Sequence, residues 1–163
     1  MTGGRTLVLG IGNVLMGDEG VGVTAAHLLA REALGEDVEV LDGGTGGFHL
    51  LEYFEAGRRL ILIDAALDGL PPGTVRVLRP RYLSEFPRAL SAHEIGLRDL
   101  LETATLIGRM PPTELVTVSV EPRLEAGTGL SAPVAAALPR VLERVRGLLA
   151  DPGGAPASPA AAP

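Results

Sequence analysis

The sequence predicts a single-domain α/β protein: a three-layer α/β/α sandwich around a mostly parallel, five-stranded twisted sheet with one antiparallel edge strand. Short apolar, β-branched runs recur along the chain, and helical patterns lie between most of them. The 163 residues suffice for one domain with a well-buried core and are too few for two full-sized domains. Strands that alternate with helices favour parallel pairing, since each crossover returns the chain to the same end of the sheet.

Five runs are predicted as strands, and several of them are uninterrupted, as is typical of strands buried on both faces. The runs cover residues 6–11, 38–41, 60–64, 74–78 and 115–120. Helical periodicity predicts four helices, at residues 19–31, 48–56, 94–107 and 134–149. Only a glycine- and proline-rich turn joins the third strand to the fourth. Because such a turn joins antiparallel neighbours, the fourth strand is expected to be antiparallel and at an edge.

The domain is expected to span residues 1–150. Residues 151–163 contain almost only proline, alanine and glycine, and this composition predicts a disordered tail. The chain shows neither a secretory signal pattern nor an apolar run long enough to cross a bilayer, so we expect a cytoplasmic protein without membrane insertion.

Composition excludes several kinds of chemistry. The chain has no cysteine and no lysine. The absent cysteine rules out a disulfide framework, thiolate metal sites and a thiol nucleophile. The absent lysine rules out a Walker phosphate loop and a Schiff base. The net charge of −6 argues against a nucleic-acid partner, because no basic stripe is available to neutralise phosphates.

Polar residues follow the first three predicted strands. The first strand leads to Asp18 and Glu19 within a glycine-rich loop, the second to the loop at residues 42–47, and the third to Asp64. Open α/β sheets bind ligands beyond the carboxyl ends of their strands, so these loops are expected to share one edge. A phosphate site needs exposed amides and a cation, whereas an acidic pair indicates a metal or a proton transfer.

Each carboxylate also has a purely structural explanation. Asp18 is suited to cap the following helix and Glu19 to favour its positive end. A cap, however, does not need the five glycines that surround this pair. Asp64 follows four large aliphatic residues, where a carboxylate is costly to bury unless it is paired or metal-bound. The alternative is a turn aspartate that accepts hydrogen bonds from nearby amides.

His93 is the histidine most suited to bind a metal. Ser91 and Glu94 have the spacing of a capping box, which predicts that His93 lies in the first turn of a helix. There the helix dipole keeps the imidazole neutral, as a metal ligand must be. His27 and His49 lie inside predicted helices and are expected to be surface or packing residues. A glutamate, an aspartate and a histidine together suit nickel, zinc, cobalt or iron and leave positions open for substrate.

Taken in order, the motifs of this chain resemble those of the [NiFe]-hydrogenase maturation endopeptidases. The resemblance extends from about residue 6 to residue 149. The matching segments are GIGNVLMGDEGVG at 10–22, DGGTGG at 42–47, DA at 64–65, SAH at 91–93, VSVEP at 118–122 and GTGLS at 127–131.

The resemblance implies an endopeptidase that removes the C-terminal extension of the nickel-loaded [NiFe]-hydrogenase large-subunit precursor, cutting after a basic residue. It also implies that Glu19, Asp64 and His93 contact nickel, which the substrate supplies, and that no organic cofactor takes part. Asp64 or Glu19 is the better candidate for a base, and the attacking group stays open, although the family is sometimes classed as aspartic-type. The resemblance further implies that a substrate loop borders the cleft; its residues are Asp42, Gly43, Gly44, Thr45 and Gly46.

Three other functions stay open. A non-catalytic nickel-site docking protein or metallochaperone would use the same three residues without turnover. A self-standing metallopeptidase would hold its own zinc. A Rossmann-type nucleotide binder would use Gly10 and Gly12 for phosphate and Asp42 for ribose, but Leu15 stands where its third glycine is required.

Overall fold

The computed structural model describes residues 6–55, 57–87, 95–122, 127–151 and 158–162. Within these residues the chain forms five strands: β1 (Thr6–Gly10), β2 (Val38–Asp42), β3 (Arg59–Ala66), β4 (Val75–Leu78) and β5 (Thr113–Ser119). The same residues form the α-helices α1 (Val21–Leu29), α2 (Ile95–Leu106) and α3 (Ala132–Ala150). Short 3₁₀ helices lie at Gly17–Gly20, Phe48–Tyr53 and Leu83–Glu85.

All five strands form one sheet in the order β2-β1-β3-β5-β4. The β1–β2, β1–β3 and β3–β5 pairs are parallel, and β4 is an antiparallel edge strand, so the predicted fold class is confirmed. β4 pairs with β5 rather than with β3, although only a turn separates it from β3. The connecting segment passes the carboxyl end of β5, where Gly73 donates to the carbonyl of Ser119 and Ser119 donates to that of Thr74.

Helices cover both faces of the sheet, as a three-layer sandwich requires. On one face α1 and α3 pack on Val8, Ile61 and Val116. On the other face α2 and the segment around Phe54 pack on the alternate strand residues, such as Leu62 and Leu115. Among the described residues no helix combines the length and the apolar character needed to span a membrane.

The predicted helix at residues 48–56 is shorter and of another type than expected. The structure has a 3₁₀ helix, Phe48–Tyr53, in which Leu50 is the buried residue. Phe54 follows in an extended conformation and is completely buried in the core. The apolar pattern that suggests an α-helix therefore arises from a six-residue helical piece and one extended core residue.

Part of the proline- and alanine-rich tail is described, and it contacts the domain. Ala160 donates to the carbonyl of Arg81 and accepts from the amide of Leu83, each at 2.9 Å. Pro159 is buried. At these residues the structure differs from the predicted disorder, because the loop at residues 81–83 offers one acceptor and one donor at the spacing that Ala160 needs.

Candidate functional site

Main-chain hydrogen bonds join the three predicted loops at the carboxyl ends of β1, β2 and β3. The amide of Ile11 donates to the carbonyl of Ile63 at 2.9 Å, which ties the first loop to β3. The amide of Gly43 donates to Gly10 at 2.8 Å, and that of Gly12 donates to Gly44 at 2.7 Å. These bonds hold the acidic first loop between the substrate loop and the end of β3, so the predicted common edge exists.

Two glycines in the first motif allow its chain to fold this tightly. Gly12 has a φ of 151°, and a Cβ there would lie 2.0 Å from the carbonyl oxygen of Glu19. A Cβ on Gly22 would lie 2.3 Å from the carbonyl oxygen of Ile63 and 2.4 Å from that of Ile11. Both positions exclude any side chain. The glycine-rich pattern therefore serves close packing of the start of α1 against the end of β3.

Glu19 is buried and incompletely satisfied. It lies in the 3₁₀ helix Gly17–Gly20, its side chain is buried, and its Oε2 has no hydrogen-bond partner among the residues that the structure describes. Glu114, at the amino end of β5, is the contrasting case: it is fully buried, and Arg59 and Arg79 donate to its two oxygens. A buried carboxylate oxygen without a partner is costly, so Glu19 points to a ligand that arrives from outside.

Asp64 is completely buried near the carboxyl end of β3. Its Oδ1 accepts a hydrogen bond from the amide of Ala65 at 2.8 Å. This bond is the one that the structural explanation of Asp64 requires. Because the preceding residue, Ile63, contacts both the first loop and α1, Asp64 lies on the same packed edge as Glu19.

Asp18 does not cap the helix, and its role could not be read from the sequence. Its two carboxylate oxygens accept from the amide and the hydroxyl of Ser131, both at 2.7 Å. The amide of Gly17 also donates to Gly127 at 2.7 Å. Hydrogen bonds with the motif at residues 127–131 thus hold the acidic loop in place. No local pattern signals this contact, because 113 residues separate Asp18 from Ser131.

Asp42 lies at the exposed entrance of the substrate loop. Its Oδ1 accepts from the amide of Gly44, and its Oδ2 lies 2.8 Å from Nε2 of His27. His27 is an exposed residue of α1, as predicted, but it also positions the Asp42 carboxylate. Together these contacts fix the first turn of the loop.

The predicted third ligand, His93, lies outside the described residues, as do Ser91 and Glu94. Among the residues that the structure describes, no group of three side chains is arranged to hold a metal ion. The donor chemistry of Glu19 and Asp64 nevertheless fits a cation, because both supply carboxylate oxygens and Oε2 of Glu19 is buried without a hydrogen-bond partner among the described residues.

A dinucleotide site does not fit this edge. Leu15, at the place of the third glycine, is 61% exposed, and its amide donates to the side chain of Asn13. The amide of Gly12 is already bonded to Gly44. Glu19 is also at the start of the helical segment, where a phosphate would need positive potential.

Comparison with known proteins identifies the family. Residues 23–147 match the family model described as hydrogenase maturation protease, HycI. The Escherichia coli hydrogenase 2 maturation protease is 38% identical over 153 residues, covering 91% of this chain and 93% of that protein. A Bradyrhizobium diazoefficiens hydrogenase expression/formation protein, HupD, is 41% identical over 121 residues; the match spans 72% of this chain and 62% of the relative.

Solved structures agree with the sequence relatives. The hydrogenase maturating endopeptidase HybD of E. coli has a TM-score of 0.78 and 37% identity, with coverage of 95% of this chain and 97% of that one. The [NiFe] hydrogenase maturation protease HybD of Thermococcus kodakarensis has a TM-score of 0.72 and 29% identity, covering 89% and 99%. Both the resemblance read from the motifs and the predicted processing endopeptidase are thereby confirmed: this chain belongs to the hydrogenase maturation protease family.

Proposed function

We propose that this protein removes the C-terminal extension of the nickel-loaded [NiFe]-hydrogenase large-subunit precursor. We also propose that it recognises the nickel through contacts from Glu19 and Asp64. One observation carries the proposal: within the described part of the chain, Oε2 of Glu19 is buried without a hydrogen-bond partner, on the same edge of the sheet as the buried Asp64. The family assignment supports a peptidase that acts in hydrogenase maturation. His93 stays a candidate third contact to the metal, and the cytoplasm stays the expected location.

The chemistry follows from these groups. A metal ion next to the scissile bond is a Lewis acid that either polarises the carbonyl or activates a water molecule. Asp64 or Glu19 would accept the proton of the attacking water, and the proton would pass to the leaving amine as the peptide bond breaks. Because the metal arrives with the substrate, the enzyme acts only on a precursor that already contains nickel.

The edge also suits the basic residue after which the resemblance implies cleavage. Asp42 is exposed at the entrance, and the acidic pair lies on the first loop, which a hydrogen bond from Gly12 to Gly44 joins to the substrate loop. Carboxylates in this arrangement attract a cationic side chain and steer the precursor toward the cleft. The substrate loop is proposed to line the path of the peptide.

The decisive experiment compares nickel-loaded and nickel-free precursor with the same preparation of enzyme, using the intact mass of the precursor as readout. We expect loss of a short C-terminal peptide from the loaded form alone. Binding of the loaded form without cleavage would instead favour the docking or metallochaperone function. Equal cleavage of both forms would contradict the proposal that the enzyme recognises the nickel in the precursor.

The site residues are tested by Glu19→Gln, Asp64→Asn and His93→Ala. Each variant is expected to fold and to lose processing. For the two carboxylates the loss should be roughly 100-fold or more, because removing a general acid–base group has effects of that size. His93→Ala should lose processing because it removes a proposed contact to the metal. Glu19→Gln should unfold at no lower temperature than the wild type, since it removes a buried charge without a full set of partners. Glu36→Gln, at an exposed carboxylate before β2, is the matched control and should process normally.

Wild-type processing by all three variants would show that the proposed site is wrong. Full processing by His93→Ala alone would remove the histidine from the proposed metal contacts and leave the two carboxylates in place.

A further inference from the structure

Thr117, in the middle of β5, has a hydroxyl group that the fold does not use. The residue is completely buried, and its Oγ1 has no hydrogen-bond partner in the described part of the structure. The other two buried hydroxyl residues of β5 differ in this respect. Thr113 donates to the carbonyl of Pro111, and Ser119 donates to the carboxylate of Asp68. Of these three hydroxyls, the middle one is the one without a partner among the described residues.

The sheet register places Thr117 between two polar residues. Thr117 is the partner of Asp64 on β3 and of Arg76 on β4. Side chains of partner residues on neighbouring strands lie on the same face of the sheet, and the strands are about 4.8 Å apart. This face is the one that α2 covers, since Leu62 and Leu115 belong to it. The row Arg76–Thr117–Asp64 therefore crosses three strands beside the candidate site.

The chemistry of the row allows one direction of hydrogen bonding. A guanidinium group only donates and an ionised carboxylate only accepts, whereas a hydroxyl does both. Of the two in-register neighbours of Thr117, Asp64 is therefore the one that can accept its proton. Arg76 uses Nη2 to bind Asp68 at 3.1 Å, but its buried Nε has no partner among the residues described. One chain, from Nε of Arg76 to Thr117 and on to Asp64, would satisfy both unpartnered atoms.

The unpaired hydroxyl of Thr117 lowers the stability of the folded protein, and the packing around it does not compensate for this loss. A buried hydroxyl without a hydrogen bond destabilises a protein, and valine has nearly the same shape without the polar atom. The neighbours of Thr117 along β5 are Val116 and Val118, so the strand accommodates valine readily. The hydroxyl is therefore best explained by a bond that forms only in the working enzyme.

We propose that Thr117 is a positioning residue whose hydroxyl donates a hydrogen bond to Asp64 when the precursor occupies the site. In that state Arg76 donates to Thr117, and the chain holds the Asp64 carboxylate in one orientation toward the scissile bond. This inference rests on the proposed function of Asp64. The proposed role of Thr117 is limited to the orientation of Asp64. In the strand order, β5 with Thr117 lies on one side of β3, and β1, which leads to the loop of Glu19, lies on the other side.

The test compares Thr117→Val, Thr117→Ser and Thr113→Val with the wild type, by single-turnover processing of the nickel-loaded precursor and by thermal unfolding. Thr117→Val should unfold at an equal or higher temperature, yet its maximal processing rate should fall roughly 10- to 100-fold with unchanged precursor affinity, because misplaced groups cost that much. Thr117→Ser keeps the hydroxyl and should process within about threefold of the wild type. Thr113→Val, on the same strand and face, should lose stability but process normally.

Wild-type processing by Thr117→Val would overturn the inference. Loss of processing in both Thr117 variants together with lowered unfolding temperatures would also overturn it, because that result indicates a structural role. If the wild type itself leaves the loaded precursor intact, the proposed function fails, and the inference that rests on it fails as well.

Discussion

Individual glycines determine how closely the two carboxylate-bearing segments approach each other. The sequence shows five glycines around the acidic pair, and they suggest a site because a helix cap does not need them. The structure gives them another role. Gly12 and Gly22 let main chain lie directly on main chain, so the glycines are packing residues that also position Glu19.

This role predicts opposite effects for two glycine-to-alanine changes in helices. Gly22→Ala adds a Cβ that would lie 2.3 Å from the carbonyl oxygen of Ile63, so the start of α1 must separate from β3. We expect the unfolding free energy to fall by about 3 kcal/mol or more. Gly147→Ala, at an exposed position of α3 with open space around it, should raise it by about 0.5–1 kcal/mol. Urea denaturation of both variants gives the comparison; equal effects would contradict the packing role.

The sequence predicts that Glu19 and Asp64 lie toward one end of the sheet, because strand ends define the ligand edge of an open sheet. In the structure Glu19 lies in the loop after β1 and Asp64 lies inside β3 near its carboxyl end, and their role in a site stays a prediction. The sequence does not predict the bond from Ser131 to Asp18 or the orphaned hydroxyl of Thr117. Both depend on which strand or loop lies next to which, and that pairing is a property of the assembled sheet. His93 stays a prediction, because the described residues do not include it.

At the scale of elements, the β-strands are the most predictable parts of this chain. Their apolar runs are long and continuous, and each predicted strand overlaps an observed one to within two residues at either end. The helical piece at Phe48–Tyr53 is less predictable, because short apolar segments suit a 3₁₀ helix and an α-helix equally well. The sequence also does not predict that β4 pairs with β5, because the short turn after β3 suggests pairing with β3.

The contact between α3 and the segment after α1 predicts a pH-dependent contribution to stability. Arg146 donates to both oxygens of Glu32, and this hydrogen bonding lowers the pKa of Glu32 below its ordinary value. A carboxylate with a lowered folded-state pKa stabilises the fold above its unfolded-state pKa, and the contribution disappears as the pH falls through the folded-state value. Glu32→Gln should therefore unfold at a lower temperature than the wild type at neutral pH, and the difference should vanish in acid, once the pH has fallen below the folded-state pKa of Glu32.

Thermal unfolding across that pH range is the measurement, with Glu36→Gln as a control in the same loop. A difference that persists unchanged into acid would show that the amide disrupts packing instead of removing an ion pair. The expected difference is small at any pH, because both side chains reach solvent.

At the scale of the whole molecule, the contact of the tail with the domain is the feature that composition alone does not reveal. Proline, alanine and glycine provide no side chains for a core, so the sequence predicts disorder. The main chain of Ala160 nevertheless pairs with the loop at residues 81–83, and main-chain pairing leaves little trace in composition.

This contact predicts a difference in hydrogen exchange. In the full chain the amide of Leu83 donates to Ala160 and should exchange slowly relative to an open loop amide. A chain that ends at Asp151 should lose this protection, while the amide of Thr74, bonded to Pro71 in a separate turn, exchanges as before. Identical exchange at Leu83 in both chains would show that the tail does not pair in solution.

The main-chain contact between Gly22 and Ile63 has a consequence for metal selectivity. At this contact no side chain separates α1 from β3, so rotamer changes there cannot alter the spacing of the two segments that carry the proposed metal contacts Glu19 and Asp64. A binding site with fixed ligand spacing distinguishes metal ions by their ionic radius and coordination geometry. A precursor that carries an ion of a different size would therefore bind less well. Cleavage would then serve as a proofreading step, releasing only large subunits that received the intended metal.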